Sequence, residues 1–363
     1  MARPGTFYRG RERSGRIAAL LLTVLAALIL LAIWGFYYLQ RYLVYDKDGV
    51  RLVFSSGQTD TLSADVTEHG GTAAVDVEII VDAADYSALT VYADESIGSV
   101  QAAYVPADAL TATLLESYVT GTAPDALLLE LKPESGLLAY TSGVALTESY
   151  DVNGAVNLSG YLGSLREKGV YLIAEISCLA DSAMATRNAP AALTDSASGA
   201  VLTQDGVSFL DPYSETARGY LSALLTELAA LGFDEILLSG LYLPEHDALQ
   251  FSVDMTAVPD HASAVSSLAL YLREEADSLG VRLSAVAECS ALLQGGSAAI
   301  GQDISVFFKL FDRVAFAADS TDCAAALTAL QDVLGDTGAA RILPIADGYV
   351  PAHDSYAVRQ TVG

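Results

Sequence analysis

The chain has 363 residues and carries 45 Asp and Glu against 19 Lys and Arg, a net charge of −26. Such an acidic surface repels nucleic acid and anionic lipid, which excludes functions that depend on binding either. Three cysteines (Cys178, Cys289, Cys323) with no C-x-x-C pair exclude a disulfide framework, and buried free thiols are the expectation. Four histidines without ligand spacing offer no metal centre, so the sequence predicts neither metal nor cofactor.

The first sixteen residues hold Arg3, Arg9, Arg11, Arg13 and Arg16 against Glu12 alone. Ile17 to Leu39 then run without a charge, long enough to span a bilayer as a helix, and Trp34, Tyr37, Tyr38 and Tyr42 crowd the far end like an interfacial belt. A cleaved signal peptide would have a shorter apolar region followed by small residues. The expectation is therefore a cytoplasmic basic tail (1–16), one transmembrane helix (17–39) and a body outside the cell. Without the tail, 14 basic residues face 44 acidic ones, a net charge of −30.

Residues 40–97 read as a juxtamembrane stalk or small β region, with short strands expected at VDVEIIV (75–81) and ALTVYAD (88–94). From residue 98 apolar runs alternate with amphipathic segments. Strands are predicted at 98–106, 126–132, 170–177, 236–239, 281–288, 312–318 and 340–346, with helices at 107–119, 158–169, 212–232, 262–279, 300–311 and 322–334. Asp211 and Pro212 are placed to start the 212–232 helix, and Gly232 to end it. Strict βα alternation with apolar strands predicts a parallel sheet covered by helices. No G-x-G-x-x-G follows an early strand, so the nucleotide-binding version lacks its fingerprint. Seven units over residues 98–363 suit a (β/α)8 TIM-barrel-like fold that lacks its eighth strand, unless a segment such as Val75–Val81 closes the gap.

The order of several short motifs resembles the bacterial putative glycosyl hydrolase family, a TIM-barrel group of poorly characterised function, across residues 98–361. LELKPESG (129–136) is similar to that family's I-D-V-K-D-D-S-G, with Glu130 in the acidic place and Lys132 kept. YLIAEI (171–176) is similar to Y-L-I-A-R-I with Glu175 for arginine, and Arg187 to Pro190 resembles the R-P that follows. FLDPYS (209–214) looks like W-V-D-P-Y-N, GFDEI (232–236) and IGQD (300–303) are shared, and LPIADGY (343–349) is similar to P-W-L-Q-D-F. Two departures stand out. Ser239 replaces the strand-four aspartate, and Val286 replaces another on strand five.

Glycoside hydrolysis ordinarily needs two carboxyl groups. The resemblance implies a membrane-anchored extracellular glycoside hydrolase acting on a polysaccharide or cell-envelope glycan. Glu130 and Glu288 are its candidate catalytic acids, and Lys132, Glu175, Asp211, Tyr213 and Tyr242 its candidate substrate-binding residues. Two plain readings compete: a Glu130–Lys132 ion pair on one strand face, and a solvated loop acid at Glu288. Glu175 alternates with apolar neighbours and needs a partner, for which Arg187 is the candidate. Tyr104, Tyr213, Tyr242 and Tyr349 fall near strand ends, where rings can stack on sugars. Loss of the two aspartates supports the alternative, an inactive glycan-binding or scaffold module.

Overall fold

A computed structural model of the chain describes residues 43–46, 49–52, 89–253, 259–317, 320–334 and 336–359. The chain divides into one unit up to Ala74 and a second from Val75 onward. In the first, Leu43–Asp46 and Gly49–Leu52 pair as an antiparallel hairpin. The apolar run 17–39 and the expected strand 75–81 lie outside the described residues, among which no helix is long and apolar enough to cross a membrane.

The second unit is a closed barrel of eight parallel strands in sequential order. They are β1 (Gln101–Val105), β2 (Ala126–Lys132), β3 (Tyr171–Ser177), β4 (Glu235–Ser239), β5 (Arg282–Val286), β6 (Val314–Ala317), β7 (Ile342–Ala346) and β8 (Tyr356–Arg359). Helices α1 (Ala112–Thr120), α2 (Ser159–Glu167), α3 (Ser182–Arg187), α4 (Glu215–Leu231), α5 (His261–Leu279), α6 (Cys289–Gln294), α7 (Ile304–Leu310) and α8 (Ser320–Leu334) lie between them.

The eighth strand is present, which corrects the expectation of a barrel short of one. β8 pairs with β7 on one side and β1 on the other, in register Tyr356 to Gln101 and Arg359 to Tyr104. It escaped the pattern because it has four residues and follows β7 through a loop with no helix. Periodicity that counts βα units has nothing to count there. Residues 89–94 are likewise no strand. The Tyr92 and Ala93 N–H groups donate to the Lys309 carbonyl at 2.8 and 3.1 Å, and Asp94 N–H donates to Asp312 Oδ1, so the segment straps the outside of the barrel. Helix α4 starts later than expected. Ser214, not Asp211, caps it by accepting the Ala217 N–H, and Gly232 ends it in the left-handed conformation.

Alternation along each strand sorts the core into two parts. Outward-facing Leu127, Leu129, Leu172, Ile176, Ile236, Leu238 and Leu283 pack under helix residues such as Leu162, Leu165, Leu221 and Leu224. Inward-facing Ala102, Leu128, Ile173, Leu237, Ala315, Leu343 and Ala357 fill the barrel. Below this apolar layer, at the N-terminal ends of the strands, sits a polar plug. Glu235 accepts from Arg313 Nε at 3.2 Å, Ser284 Oγ at 2.6 Å and Tyr171 Oη at 2.9 Å. Arg313 also donates to the carbonyls of Gly98 and Ala340. The charges are buried and fully hydrogen-bonded, the condition under which a buried ion pair is tolerated.

A second buried pair supports the opposite end. Lys132 Nζ lies 2.8 Å from Asp181 Oδ2, with both side chains inaccessible to solvent, and also donates to the Ser177 carbonyl. The register explains why Lys132 does not pair with Glu130, as a simple strand would have it. Glu130 aligns with Glu175 but Lys132 aligns with Ile176, so a bulge after Glu130 turns Lys132 to the outer face. Gly136 completes the arrangement. It has φ +76°, and a Cβ there would lie 1.9 Å from Asp181 Oδ1. Replacing Lys132 with methionine strands the Asp181 carboxylate, and Lys132→Met is expected to lose about 3–5 kcal/mol in urea denaturation. Lys132→Met/Asp181→Asn, which removes both charges, recovers most of that loss.

Candidate functional site

Barrel enzymes place their chemistry at the C-terminal ends of the strands. One step above the apolar layer, the inward positions there are Tyr104 on β1, Glu130 on β2, Glu175 on β3, Ser239 on β4, Val286 on β5 and Arg359 on β8. This follows from alternation: each lies two residues beyond an inward-facing apolar residue (Ala102, Leu128, Ile173, Leu237 and Ala357), except Val286, whose predecessor Ser284 belongs to the plug, so that Val286 packs against the apolar layer itself.

Glu130 and Glu175 are direct register partners on adjacent parallel strands. Such strands lie about 4.8 Å apart, so the two side chains leave the sheet side by side. Glu130 is half-buried, and its Oε2 accepts the Ala107 N–H at 2.8 Å from the loop after β1. Glu175 is 6 % exposed, and its Oε2 is buried with no hydrogen-bond partner. Burial, and next the Glu130 carboxylate, push the Glu175 pKa up to about 8, against the hydroxyls of Ser239 and Tyr104 and the Arg359 guanidinium. Burial and a like charge together outweigh three groups that favour the anion. At neutral pH Glu175 carries a proton.

Arg187 is not its partner. The Arg187 guanidinium donates to the carbonyls of Tyr150 and Asp151, on the surface and away from the strand. The cation that reaches Glu175 is Arg359, on the strand the sequence did not reveal.

A second acidic group stands in the loops above. Tyr242 Oη donates to Glu134 Oε1 at 2.9 Å. Glu288 is exposed at the start of α6, yet desolvation in its recess and the nearby Glu134 raise its pKa. Tyr242 is shifted upward too, by burial and then by Glu134, Glu288 and Asp205, and keeps its proton. Gln302 holds this wall in place: its side chain takes the Glu288 N–H at 2.9 Å and gives a hydrogen bond to the Leu241 carbonyl. That is the physical content of IGQD, where Gly301 (φ +81°) also passes within 2.4 Å, at Cβ distance, of the His261 carbonyl.

The structure thus brings the sequence candidates together in a different grouping. Glu130 sits against Glu175, and Glu288 against Glu134 and Tyr242. Lys132 lies behind the strand with Asp181. Asp211 is fully buried and accepts the N–H groups of Tyr213 and Ser252, and Tyr213 packs edge-on against Phe251 at 5.2 Å. Both shape the loop after β3. Sequence reasoning missed Glu134 and Arg359. Glu134 was legible as the acid just past β2, whereas Arg359 needed β8.

A cavity of about 450 Å³ opens at the other end of the barrel, lined by Gly98, Gln101, Tyr171, Arg282 and Arg313. Its buried arginine is already satisfied by the plug, so the C-terminal mouth is the better site.

Raising a carboxyl's pKa on folding ties stability to pH. The unfolded chain releases this proton near the ordinary glutamate value of about 4.3, the folded one at about 8. Glu175 therefore costs no stability below the lower value, and its contribution is lost as pH rises through the upper one. Glu175→Gln is expected to flatten the decline of melting temperature across that window and to exceed wild type at about pH 8.5. An unchanged slope would mean that Glu175 is ionised in the fold.

Among known proteins, no curated sequence matches this chain. Solved structures do. A hypothetical protein from Ruminiclostridium thermocellum is 21 % identical, over 50 % of this chain and 96 % of its own, with a TM-score of 0.43. The glycoside hydrolase domain of PelA from Pseudomonas aeruginosa is 16 % identical, over 70 % and 86 %, with a TM-score of 0.42. A cycloalternan-degrading enzyme from Trueperella pyogenes is 11 % identical, over 74 % and 43 %, with a TM-score of 0.43. A family model matches residues 102–316, more than half of the chain and nearly all of the barrel through β6, and by that match the chain belongs to the family described as "Putative glycosyl hydrolase domain".

Proposed function

We propose that the barrel is a glycoside hydrolase that cleaves a polysaccharide with Glu175 as the acid and Glu130 as the nucleophile. The observation that carries this reading is the registered Glu130–Glu175 pair, one member of which keeps its proton at neutral pH. Pairs of carboxyls whose surroundings separate their protonation states are how one site supplies both an acid and a base. Glu175 would protonate the leaving oxygen. Glu130, with Oε2 tied to the Ala107 N–H, would attack the anomeric carbon. Side-by-side placement on neighbouring strands suits the short separation of retaining enzymes, so the product should keep the anomeric configuration of the substrate. Ser239 takes no charge in this scheme. Its hydroxyl flanks Glu175, so a missing strand-four aspartate does not remove the two-acid mechanism. Glu134, Tyr242 and Glu288 would form an outer wall that hydrogen-bonds sugar hydroxyls.

The second reading, an inactive glycan-binding module, draws support from the burial of Glu175 at 6 % exposure, which narrows its access to a bound sugar. Hydrolysis of a panel of neutral, amino and acidic polysaccharides, followed by reducing-end release, separates the two. Glu130→Gln and Glu175→Gln are each expected to lose about 10³-fold in turnover, and Glu288→Gln less than about tenfold. Binding without turnover by the wild type would favour the module, and a Glu288→Gln loss as large as the others would shift the acid to the outer wall.

The proposed setting is the outer face of a cell membrane, anchored through residues 17–39 with the N-terminus cytoplasmic. The arginine cluster before the apolar run and the aromatic cluster after it support that orientation. Protease added to intact cells should digest the barrel and leave the basic tail. A barrel protected in intact cells would reverse the orientation, and a mature chain beginning after Leu39 would remove the anchor.

A further inference from the structure

Tyr104 ends β1 inside the barrel at 5 % exposure, too enclosed to offer its ring face to a sugar. Its neighbours are fixed by the strand ladder. On one side it aligns with Arg359 of β8. The guanidinium carbon lies 5.0 Å from the ring centroid, in cation–π range, and Nε lies 3.8 Å from Asp347 Oδ2. On the other side Tyr104 aligns with Leu128, so the next inward residue of β2 is Glu130, and beyond it Glu175. The loop that leaves β1 returns at Ala107 to hold Glu130 Oε2. Across the pair, the buried Glu175 Oε2 has no partner.

We propose that Tyr104, clamped by Arg359, is the positioning residue of the carboxyl pair: its hydroxyl stands at the flank of both acids and limits how tightly Glu175 holds its proton. The proposal rests on the hydrolase reading only for its catalytic consequence. A phenol has one hydrogen to give. Burial raises the Tyr104 pKa first, and Glu175 and Glu130 raise it further, so the hydroxyl remains a donor at any working pH. Turned toward Glu175, that hydrogen favours the carboxylate form and opposes the burial that keeps the proton in place. The groups facing Glu175 are Glu130 from β2, Tyr104 from β1, Ser239 from β4 and Arg359 from β8. Of these, Tyr104, Ser239 and Arg359 favour its anion, so removing the phenol hydroxyl or the guanidinium should let Glu175 keep its proton to higher pH.

Infrared titration of the full chain reads this without any substrate. The protonated carboxyl band that disappears in Glu175→Gln belongs to Glu175, and in wild type it should titrate at about 8. In Tyr104→Phe, which keeps the ring and its stacking on Arg359, the midpoint should move to higher pH. Arg359→Gln should do the same, and Arg359→Lys should restore the midpoint toward wild type. Circular dichroism confirms that each variant is folded. Unchanged midpoints in folded Tyr104→Phe and Arg359→Gln would overturn the proposal, as would a wild type with no Glu175 band at about pH 6. Where turnover is found, Tyr104→Phe should lower kcat roughly tenfold with little change in KM and carry the alkaline limb of the pH profile upward. If no glycan is hydrolysed but the midpoints shift, the hydrolase reading fails and the positioning role of Tyr104 stands.

Discussion

Two glutamates that leave neighbouring strands side by side, one of them buried, are the constraint around which this barrel is organised. Glu130 and Glu175 cannot share that space as two anions at low cost, because like charges in a dry setting disfavour ionisation. The fold resolves the conflict by asymmetry. Glu130 has a backbone N–H donor and partial access to solvent, whereas the Glu175 Oε2 is buried without a donor. Sequence identity of the two side chains is irrelevant to the outcome. Their surroundings differ, and the proton follows.

Much of the remaining polar machinery keeps that geometry from relaxing. The bulge after Glu130 removes Lys132 from the inner face, and the Asp181 pair then holds it outside, so no cation is at hand to neutralise Glu130 along its own strand. The plug of Glu235, Arg313, Ser284 and Tyr171 closes the far end of the barrel and fixes β3, β4, β5 and β6 relative to one another. Gly240, at φ +56° with its Cβ position 2.1 Å from Ser177 Oγ, lets the chain turn sharply after Ser239 and brings the loop bearing Tyr242 back over the mouth. Each device acts on strand ends or on the loops that leave them, where displacement of an ångström would part the two carboxyls.

The parts of this arrangement that were legible in the sequence are those written in apolar periodicity. Strands β1 to β7 follow from runs such as ALLLEL and YLIAEI, because burial on both faces demands such runs, and the longer helices follow from the amphipathic segments between them, whereas the short α3 and α6 left no such pattern. Glu130 was legible as an acid at a strand end. The pairing of Glu130 with Glu175 was not, since the register between two strands separated by a long crossover is set by packing that no local pattern records. The bulge that reverses Lys132 was hidden for the same reason, and the strand alternation that would pair it with Glu130 holds only where the ladder is regular. β8 was hidden because YAVR is short, half-exposed and follows no helix, and with it went Arg359. Tyr104 was visible as an aromatic near the mouth, but its role depends on burial, which a strand-end position does not reveal.

The asymmetry of the pair comes down to the location of one proton, and neutron diffraction from a crystal grown near neutral pH locates it directly. Nuclear density should show a deuteron bound to a Glu175 carboxyl oxygen, with Glu130 alongside and its Oε2 on the Ala107 amide. A bare Glu175 carboxylate, or two carboxyl groups turned apart with ordered water between them, would contradict it.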